Sequence, residues 1–148
     1  MLPPDSTATV VAAAVRACRP DAAVVGVEPA LAADARESLR RGERVSWPAA
    51  DVQRTVADAL RVEQVGALPF AHLRELVAGI VTVTDEEMLA AVRLLAVRAR
   101  LVAEPGGAAA VAAWLYRRPE LPAATTPVAV LSGGNVDPAL LAATLAGG

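Results

Sequence analysis

The sequence predicts an α/β protein in which helices cover a parallel β-sheet. Three short, continuous apolar segments are typical of strands buried on both faces: Ala23–Val27, Gly79–Val83 and Val128–Leu131. Helical patterns separate these segments, so each strand is joined to the next through helices, with right-handed crossovers expected. We therefore expect residues 1–148 to form a single α/β domain, a partial three-layer parallel sheet with flanking helices. So small a sheet is expected to be part of a larger one, because an uncovered apolar edge invites aggregation.

The first two helices have recognisable ends. Asp5 and Ser6 are candidate N-caps for a helix that reaches about Cys18. A second helix, rich in Ala and Arg, is predicted over Ala30–Arg41 and ends at Gly42, a residue that favours helix termini.

The middle of the chain is less regular. Residues 43–69 contain one possible helical turn at Asp51–Leu60, and a short helix is predicted over Phe70–Val77. Thr84 and Glu87 have the spacing of a capping box, in which each side chain bonds to the other residue's backbone N–H.

Three more helices complete the pattern. The helix after the capping box runs through Ala90–Arg100, with its apolar residues at helical spacing. Pro105 begins another, which ends near Arg118. Asp137 is the expected N-cap of the last helix, with Pro138 in its first turn.

Composition excludes several classes of function. With 55% hydrophobic residues the chain can bury a core, so intrinsic disorder is not expected. A formal net charge of −2 provides no basic surface for nucleic acid or an anionic membrane. All 14 basic residues are arginine, so any mechanism that needs a lysine amine requires another chain.

Cysteine and histidine narrow the chemistry further. Cys18 and His72 are each the only residue of their type, so an intrachain disulfide and a cysteine-based zinc site are excluded. The start of the sequence, MLPPDSTATV, lacks the pattern of a secretory signal, and we expect a soluble cytoplasmic protein.

Candidate ligand-binding residues follow the predicted strands, where parallel sheets bind ligands. SGGN, residues 132–135, is a glycine turn that allows close approach to a ligand or simply caps the next helix. Glu28 and Asp34 suit Mg²⁺ or Ca²⁺, although acidic residues at a helix start are also explained by the helix dipole. The same alternative applies to Glu104 in EPGGA.

Taken together, the motifs resemble a known family. GVEPALAADA, RTVADALR, VAGIVTVTDEE, LVAEPGGAAAVAAWL and VAVLSGGNVD occur in the order found in the C-terminal half of threonine dehydratases and serine racemases. The likeness extends from about Val11 to Ala146. It implies the tryptophan-synthase-β-like fold and pyridoxal 5'-phosphate chemistry, namely β-elimination from hydroxy amino acids, yielding 2-oxo acids and ammonia, or racemisation.

The resemblance also implies roles for individual residues. Ser132 would meet the pyridine nitrogen of the cofactor, and a hydroxyl there does not hold that nitrogen protonated. In the racemase branch a cation is held at positions that match Glu28, the carbonyl of Ala32, and Asp34. The residues that match the cofactor side are Ser132, Gly133, Gly134, Asn135, Glu104 and Ala59.

The sequence also departs from the family pattern. The Schiff-base lysine is missing, and residues 3–7 stand where the glycine-rich phosphate loop is expected. Ala59 and Gly106 replace a glycine and a serine of the family motifs. Three alternatives follow: a truncated dehydratase-like chain without activity alone, the C-terminal half of a split enzyme completed by a complementary chain, and a non-catalytic cation-binding scaffold. Self-association into a homo-oligomer is also expected from the incomplete sheet.

Overall fold

A computed structural model describes residues 6–147, apart from the side chain of Ser6. Within that range the chain forms helices on a short parallel sheet. The helices and strands are α1 (Ser6–Cys18), β1 (Val25–Pro29), α2 (Asp34–Arg41), α3 (Ala49–Val52), α4 (Ala67–Leu76), β2 (Gly79–Val83), α5 (Asp85–Leu94), α6 (Pro105–Tyr116) and α7 (Pro138–Ala146).

The two strands confirm the parallel α/β architecture. β1 and β2 pair in parallel, with Val25 opposite Gly79 and Pro29 opposite Val83. The second strand has the predicted bounds, whereas the first begins two residues later than predicted. Beyond the last pair, the N–H of Ala30 donates to the carbonyl of Val83 at 2.8 Å, which fixes the carboxyl end of the sheet.

The prediction of a third strand at Val128–Leu131 is wrong. These residues lie outside the sheet, and within the described range the sheet has two strands. The composition of the segment favours an extended backbone, but a strand also needs a neighbour with which to exchange hydrogen bonds. No described segment pairs with it.

Several helix ends lie where the capping residues in the sequence predicted them. Gly42 ends α2 in the left-handed conformation, at φ 76°, where glycine has no steric penalty. The capping box of Thr84 and Glu87 is present at the start of α5. The carboxylate of Asp137 accepts the N–H groups of Ala139 and Leu140 at the start of α7. Asp5, the other candidate N-cap of α1, lies outside the described residues.

Other bounds differ from the predictions. α2 begins at Asp34 rather than Ala30, because the turn after β1 occupies residues 30–33. The predicted turn at Asp51–Leu60 is two pieces, α3 and a 3₁₀ turn at Asp58–Leu60. α5 continues into a π-helical turn at Leu95–Ala99, which the apolar pattern did not indicate.

The main core lies between the sheet and the pair α5 and α6. Small residues of α6, including Ala108 and Ala112, are fully buried against Val83, Met88 and Val92. A second apolar cluster joins α2 and α4 on the other side. None of the described helices has both the length and the apolar character needed to cross a membrane.

Candidate functional site

The site is built at the carboxyl end of β2, where Asp85 holds the loop of residues 55–61. Its carboxylate accepts the Thr55 hydroxyl at 2.6 Å and the N–H of Val56 at 2.9 Å. The Arg61 guanidinium closes the loop by donating twice to the carbonyl of Thr55. Because Thr55 is fully buried, these contacts also satisfy polar groups that water cannot reach.

The start of α6 packs against this loop. A Cβ added at Gly106 would lie 3.2 Å from the side chain of Leu60, so the absence of a side chain allows Leu60 to pack on the backbone of α6. The serine of the family motif would be crowded here by Leu60. The contact places Glu104, the N-cap of α6, at the carboxyl end of the sheet, beside the turn that carries Ala59.

Glu104 holds the glycine turn of residues 132–135 through its backbone and its side chain. Its N–H donates to the carbonyl of Gly133 at 3.2 Å, and its carboxylate accepts the N–H of Asn135 at 2.9 Å. We call this pair of contacts the Glu104 clasp. It fixes the turn on both sides of Gly134 without help from a regular strand.

Three glycines at or next to the Glu104 clasp have little space for a side chain. A Cβ on Gly133 would overlap the Glu104 carboxylate, and one on Gly107 would overlap the backbone of Gly133. A Cβ on Gly134 would approach the Val102 carbonyl to 3.0 Å. The close approach of two backbones therefore requires glycine at position 107 and favours it at position 134, whereas at position 133 the group in the way is the end of the Glu104 side chain.

The clasp leaves Ser132 and Asn135 exposed. Ala59 is also exposed, and its φ is negative, so alanine fits the 3₁₀ turn without backbone strain. The structure thus brings Glu104 and the glycine turn into contact, with the Ala59 turn next to them.

Glu28, at the end of β1, caps α2 from a distance. Its two carboxylate oxygens accept the N–H of Ala35 at 3.1 Å and that of Arg36 at 2.8 Å. The residue as a whole is partly exposed, but burial of its carboxylate raises the pKa to about 8, and the negative charge of Asp34 adds to the rise. Asp34 itself is 2% exposed and Ala32 is 1% exposed, so the three expected cation ligands lie together in a buried region.

A mostly apolar cavity of about 80 Å³ adjoins Glu28 and Asp34. It extends between the sheet and α1 and α4, and reaches Leu60 of the loop that Asp85 holds. The volume has room for a few water molecules and not for a drug-sized ligand.

Comparison with known proteins identifies the family of the chain. The profile of the family described as "Pyridoxal-phosphate dependent enzyme" matches residues 6–133. The chain belongs to this family. It is 39% identical over 127 residues to an L-threonine ammonia-lyase of Geobacter sulfurreducens, a match that covers 86% of this chain and 31% of that protein.

Solved structures show the same relationship. The chain superposes on the crystal structure of the T.th. threonine deaminase with a TM-score of 0.83 and 41% identity, covering 92% of this chain and 47% of that one. For threonine deaminase isoform 2 of Solanum lycopersicum the TM-score is 0.85 at 32% identity, with 99% and 43% covered. The chain therefore spans less than half the length of these relatives, and it has their tryptophan-synthase-β-like fold.

The chemistry of Ser132 suits the family's cofactor at one contact. Its exposed hydroxyl stands on a turn that Glu104 holds by hydrogen bonds, and a hydroxyl can donate to a heteroaromatic nitrogen. The 148 residues supply no lysine amine, and most of the segment where a phosphate loop is expected lies outside the described residues.

The oxygen atoms of Glu28, Ala32 and Asp34 also suit the cation that is expected to bind there. Two carboxylates and a carbonyl are the oxygen donors that Mg²⁺ and Ca²⁺ prefer. Each Glu28 oxygen uses one lone pair on an amide N–H and retains another. A cation would also offset the repulsion between Glu28 and Asp34.

Sequence reasoning missed two residues that shape the site. Asp85 occurs in the family motif VAGIVTVTDEE, but no role was predicted for its side chain, which holds the loop of residues 55–61. Gly107 was part of a recognised motif, but its contact with Gly133 joins positions 26 apart, which spacing along the chain does not reveal. The adjacent glycines in EPGG were the one signal for such a close approach.

Proposed function

We propose that this chain is the C-terminal part of a pyridoxal-phosphate-dependent ammonia-lyase that acts on a hydroxy amino acid such as L-threonine or L-serine. The Glu104 clasp, which holds the turn that carries the exposed Ser132, is the observation that supports it. Similarity to L-threonine ammonia-lyase and to serine racemases favours this substrate class without separating elimination from racemisation.

In this proposal the chain supplies the ring-nitrogen side of the cofactor site. Pyridoxal phosphate, when bound, supplies the electron sink for chemistry at the substrate Cα. The Ser132 hydroxyl would donate a hydrogen bond to the ring nitrogen and, having no charge, would not keep that nitrogen protonated. Gly133, Gly134 and Asn135 shape the adjoining wall, with Glu104 holding the turn and Ala59 lining the opposite turn.

These residues do not catalyse alone. An amine that carries the cofactor is needed, and the sequence has 14 basic residues, all arginine. The lysine and a phosphate-binding loop are assigned to a further polypeptide segment, on the same protein or on a complementary chain. Glu28, the carbonyl of Ala32, and Asp34 are assigned to Mg²⁺ or Ca²⁺, as a structural site that stabilises the turn before α2.

A titration of the purified chain with pyridoxal phosphate tests the assignment of Ser132. We expect saturable binding by absorbance, weakened several-fold by Ser132→Ala because a hydrogen bond to the ring is lost. The matched control is Ser46→Ala, which removes an exposed hydroxyl outside the site. Since the chain has no lysine, attachment of the aldehyde to lysine side chains cannot contribute to the signal.

Activity is measured in the same samples. We expect no 2-oxo acid from L-threonine or L-serine with the chain alone. Absence of saturable binding would contradict the proposed function and leave a family scaffold without a cofactor site. Tight Mg²⁺ or Ca²⁺ binding in that case, lost in Asp34→Ala, would instead favour the non-catalytic cation-binding scaffold.

A further inference from the structure

The loop of residues 55–61 is held between the first turns of two helices. In α5, Asp85 accepts the Thr55 hydroxyl at 2.6 Å and the next backbone N–H at 2.9 Å. On the other side of the loop, Leu60 packs on the first turn of α6, where a Cβ added at Gly106 would lie 3.2 Å from its side chain. The position of the loop is therefore set by α5 at its start and by α6 near its end.

The same turn of α6 also contacts the glycine turn of residues 132–135. Gly106 and Gly107 are consecutive, and a Cβ added at Gly107 would overlap the backbone of Gly133. The first residue of this pair thus contacts the loop that Asp85 holds, and the second contacts the glycine turn. Because one helical turn lies against both, a shift of the loop along α6 changes its distance from the glycine turn.

Thr55 joins the loop to Asp85 and also holds the loop together from inside. It is fully buried, and its hydroxyl donates to Asp85 while accepting the N–H of Ala57 at 3.2 Å. Its carbonyl accepts two hydrogen bonds from the Arg61 guanidinium, at 3.0 and 2.8 Å. Of these hydrogen bonds, the one to Asp85 connects the loop to another element. The exposed Ala59 therefore lies at the tip of a braced loop whose anchor is the Asp85 carboxylate.

We propose that Asp85 is a positioning residue for the cofactor site. Through the Thr55 hydroxyl it holds the loop against the first turn of α6, and so sets the distance between Ala59 and Ser132, the residue proposed to meet the ring nitrogen. Walls that are fixed before a ligand arrives favour binding, because less binding free energy is then spent on ordering them. This inference rests on the proposed function, which it extends to a residue that does not itself touch the cofactor.

Two variants of Thr55 separate the hydrogen bond to Asp85 from packing. Thr55→Val nearly keeps the volume and removes the hydroxyl, whereas Thr55→Ser keeps the hydroxyl. The matched control is Ser38→Ala, which also removes a fully buried hydroxyl with two hydrogen bonds, but one that holds Val45 in a different loop. Urea unfolding of each variant measures its loss of stability and defines the conditions in which all of the protein is folded.

The position of the loop is measured first, without cofactor. Spin labels at Ala59→Cys and Ala139→Cys, with the native cysteine replaced by serine, give the distance between the loop and the exposed start of α7, which follows the glycine turn. We expect Thr55→Val and Asp85→Ala to shift or broaden the distance distribution in pulsed electron paramagnetic resonance. Thr55→Ser and Ser38→Ala should leave it unchanged. A distribution that is the same in Thr55→Val and Asp85→Ala as in the unmodified loop overturns the proposal.

Titration with pyridoxal phosphate then measures the effect on the cofactor site. We expect Thr55→Val to weaken binding about fivefold or more, and Thr55→Ser and Ser38→Ala to bind as the unmodified chain does. The circular dichroism of the bound cofactor, per mole bound, should also fall in Thr55→Val, because it depends on the asymmetric walls around the cofactor and not on stability.

The two proposals fail in different ways. Binding of pyridoxal phosphate that depends on Ser132, with equal affinity and equal circular dichroism in Thr55→Val, overturns this inference and leaves the proposed function. Absence of binding to the unmodified chain removes the proposed function and the cofactor part of the inference. The distance distribution then decides whether Asp85 sets the position of the loop.

Discussion

Two carboxylates at the carboxyl end of the sheet accept hydrogen bonds from backbone N–H groups that lie between 7 and 31 residues further along the chain. Glu104 holds the N–H of Asn135, 31 residues away, and Glu28 holds those of Ala35 and Arg36. In both cases an acidic residue beside a turn supplies the acceptor that the described chain offers to these amide donors. Both were recognised as acidic residues in family motifs, but their partners follow from the fold.

Glu28 makes the stability of the chain depend on pH. Its pKa is about 8 in the folded chain and near 4.5 in the unfolded chain, so the folded state holds an extra proton between those values. The free energy of unfolding therefore falls as the pH rises from about 5 to about 8. Glu28→Gln, which does not titrate, should flatten this decline, measured by urea unfolding at both pH values with a chelator present.

The titration of Glu28 and the loss of its contacts are separated by comparing how steeply the free energy of unfolding falls with pH in each variant. Glutamine cannot accept both N–H groups of α2, so the variant is expected to be less stable at the lower pH. Glu75→Gln, at an exposed glutamate, should keep the wild-type pH dependence. An equally steep decline in Glu28→Gln would show that another group is responsible.

At the scale of helices and strands, the sequence predicted what local chemistry decides. Gly42, Thr84 and Asp137 each mark a helix end through contacts within a few residues, and the structure confirms them. The prediction of a strand at Val128–Leu131 was wrong because a strand needs a partner, and the pattern of residues within the segment does not reveal whether one is present.

The same reasoning applies to the site. The motif at residues 132–135 and Glu104 were recognised by family resemblance, whereas the clasp between them joins the start of α6 to a turn about 30 residues further along the chain, a contact that follows from the fold. The start of α2 was misplaced for a related reason, since the carboxylate that satisfies its first N–H groups comes from β1. The assigned cofactor and cation roles remain predictions.

Asp85 links two elements, and its removal tests whether the loop of residues 55–61 depends on it. Asp85→Ala leaves the buried Thr55 hydroxyl and the N–H of Val56 without their acceptor. We expect a loss of about 2 to 4 kcal/mol in the free energy of unfolding. Amide hydrogen exchange should show the loop opening first, because Asp85 is its anchor to α5.

Glu86→Ala is the control for the helix dipole. It removes an exposed acidic residue from the same first turn of α5, and we expect a smaller loss of stability than for Asp85→Ala. If the two variants lose equal stability, the contacts of Asp85 with the loop contribute nothing beyond the dipole.

Over the whole molecule, the chain spans less than half the length of the relatives that it matches. The helices and sheet bury a core of small residues, and the exposed segment of residues 122–132 ends at Ser132, the residue proposed to meet the cofactor.

The most direct test of the central claim is the ¹⁵N chemical shift of ring-labelled pyridoxal phosphate bound to the chain. We predict a shift of the pyridine nitrogen on binding that Ser132→Ala abolishes and Ser46→Ala retains. The shift reports the hydrogen bond at the labelled atom itself and does not depend on turnover. A bound nitrogen with the same chemical shift in the unmodified chain and in Ser132→Ala would contradict the claim that this chain supplies the ring-nitrogen contact.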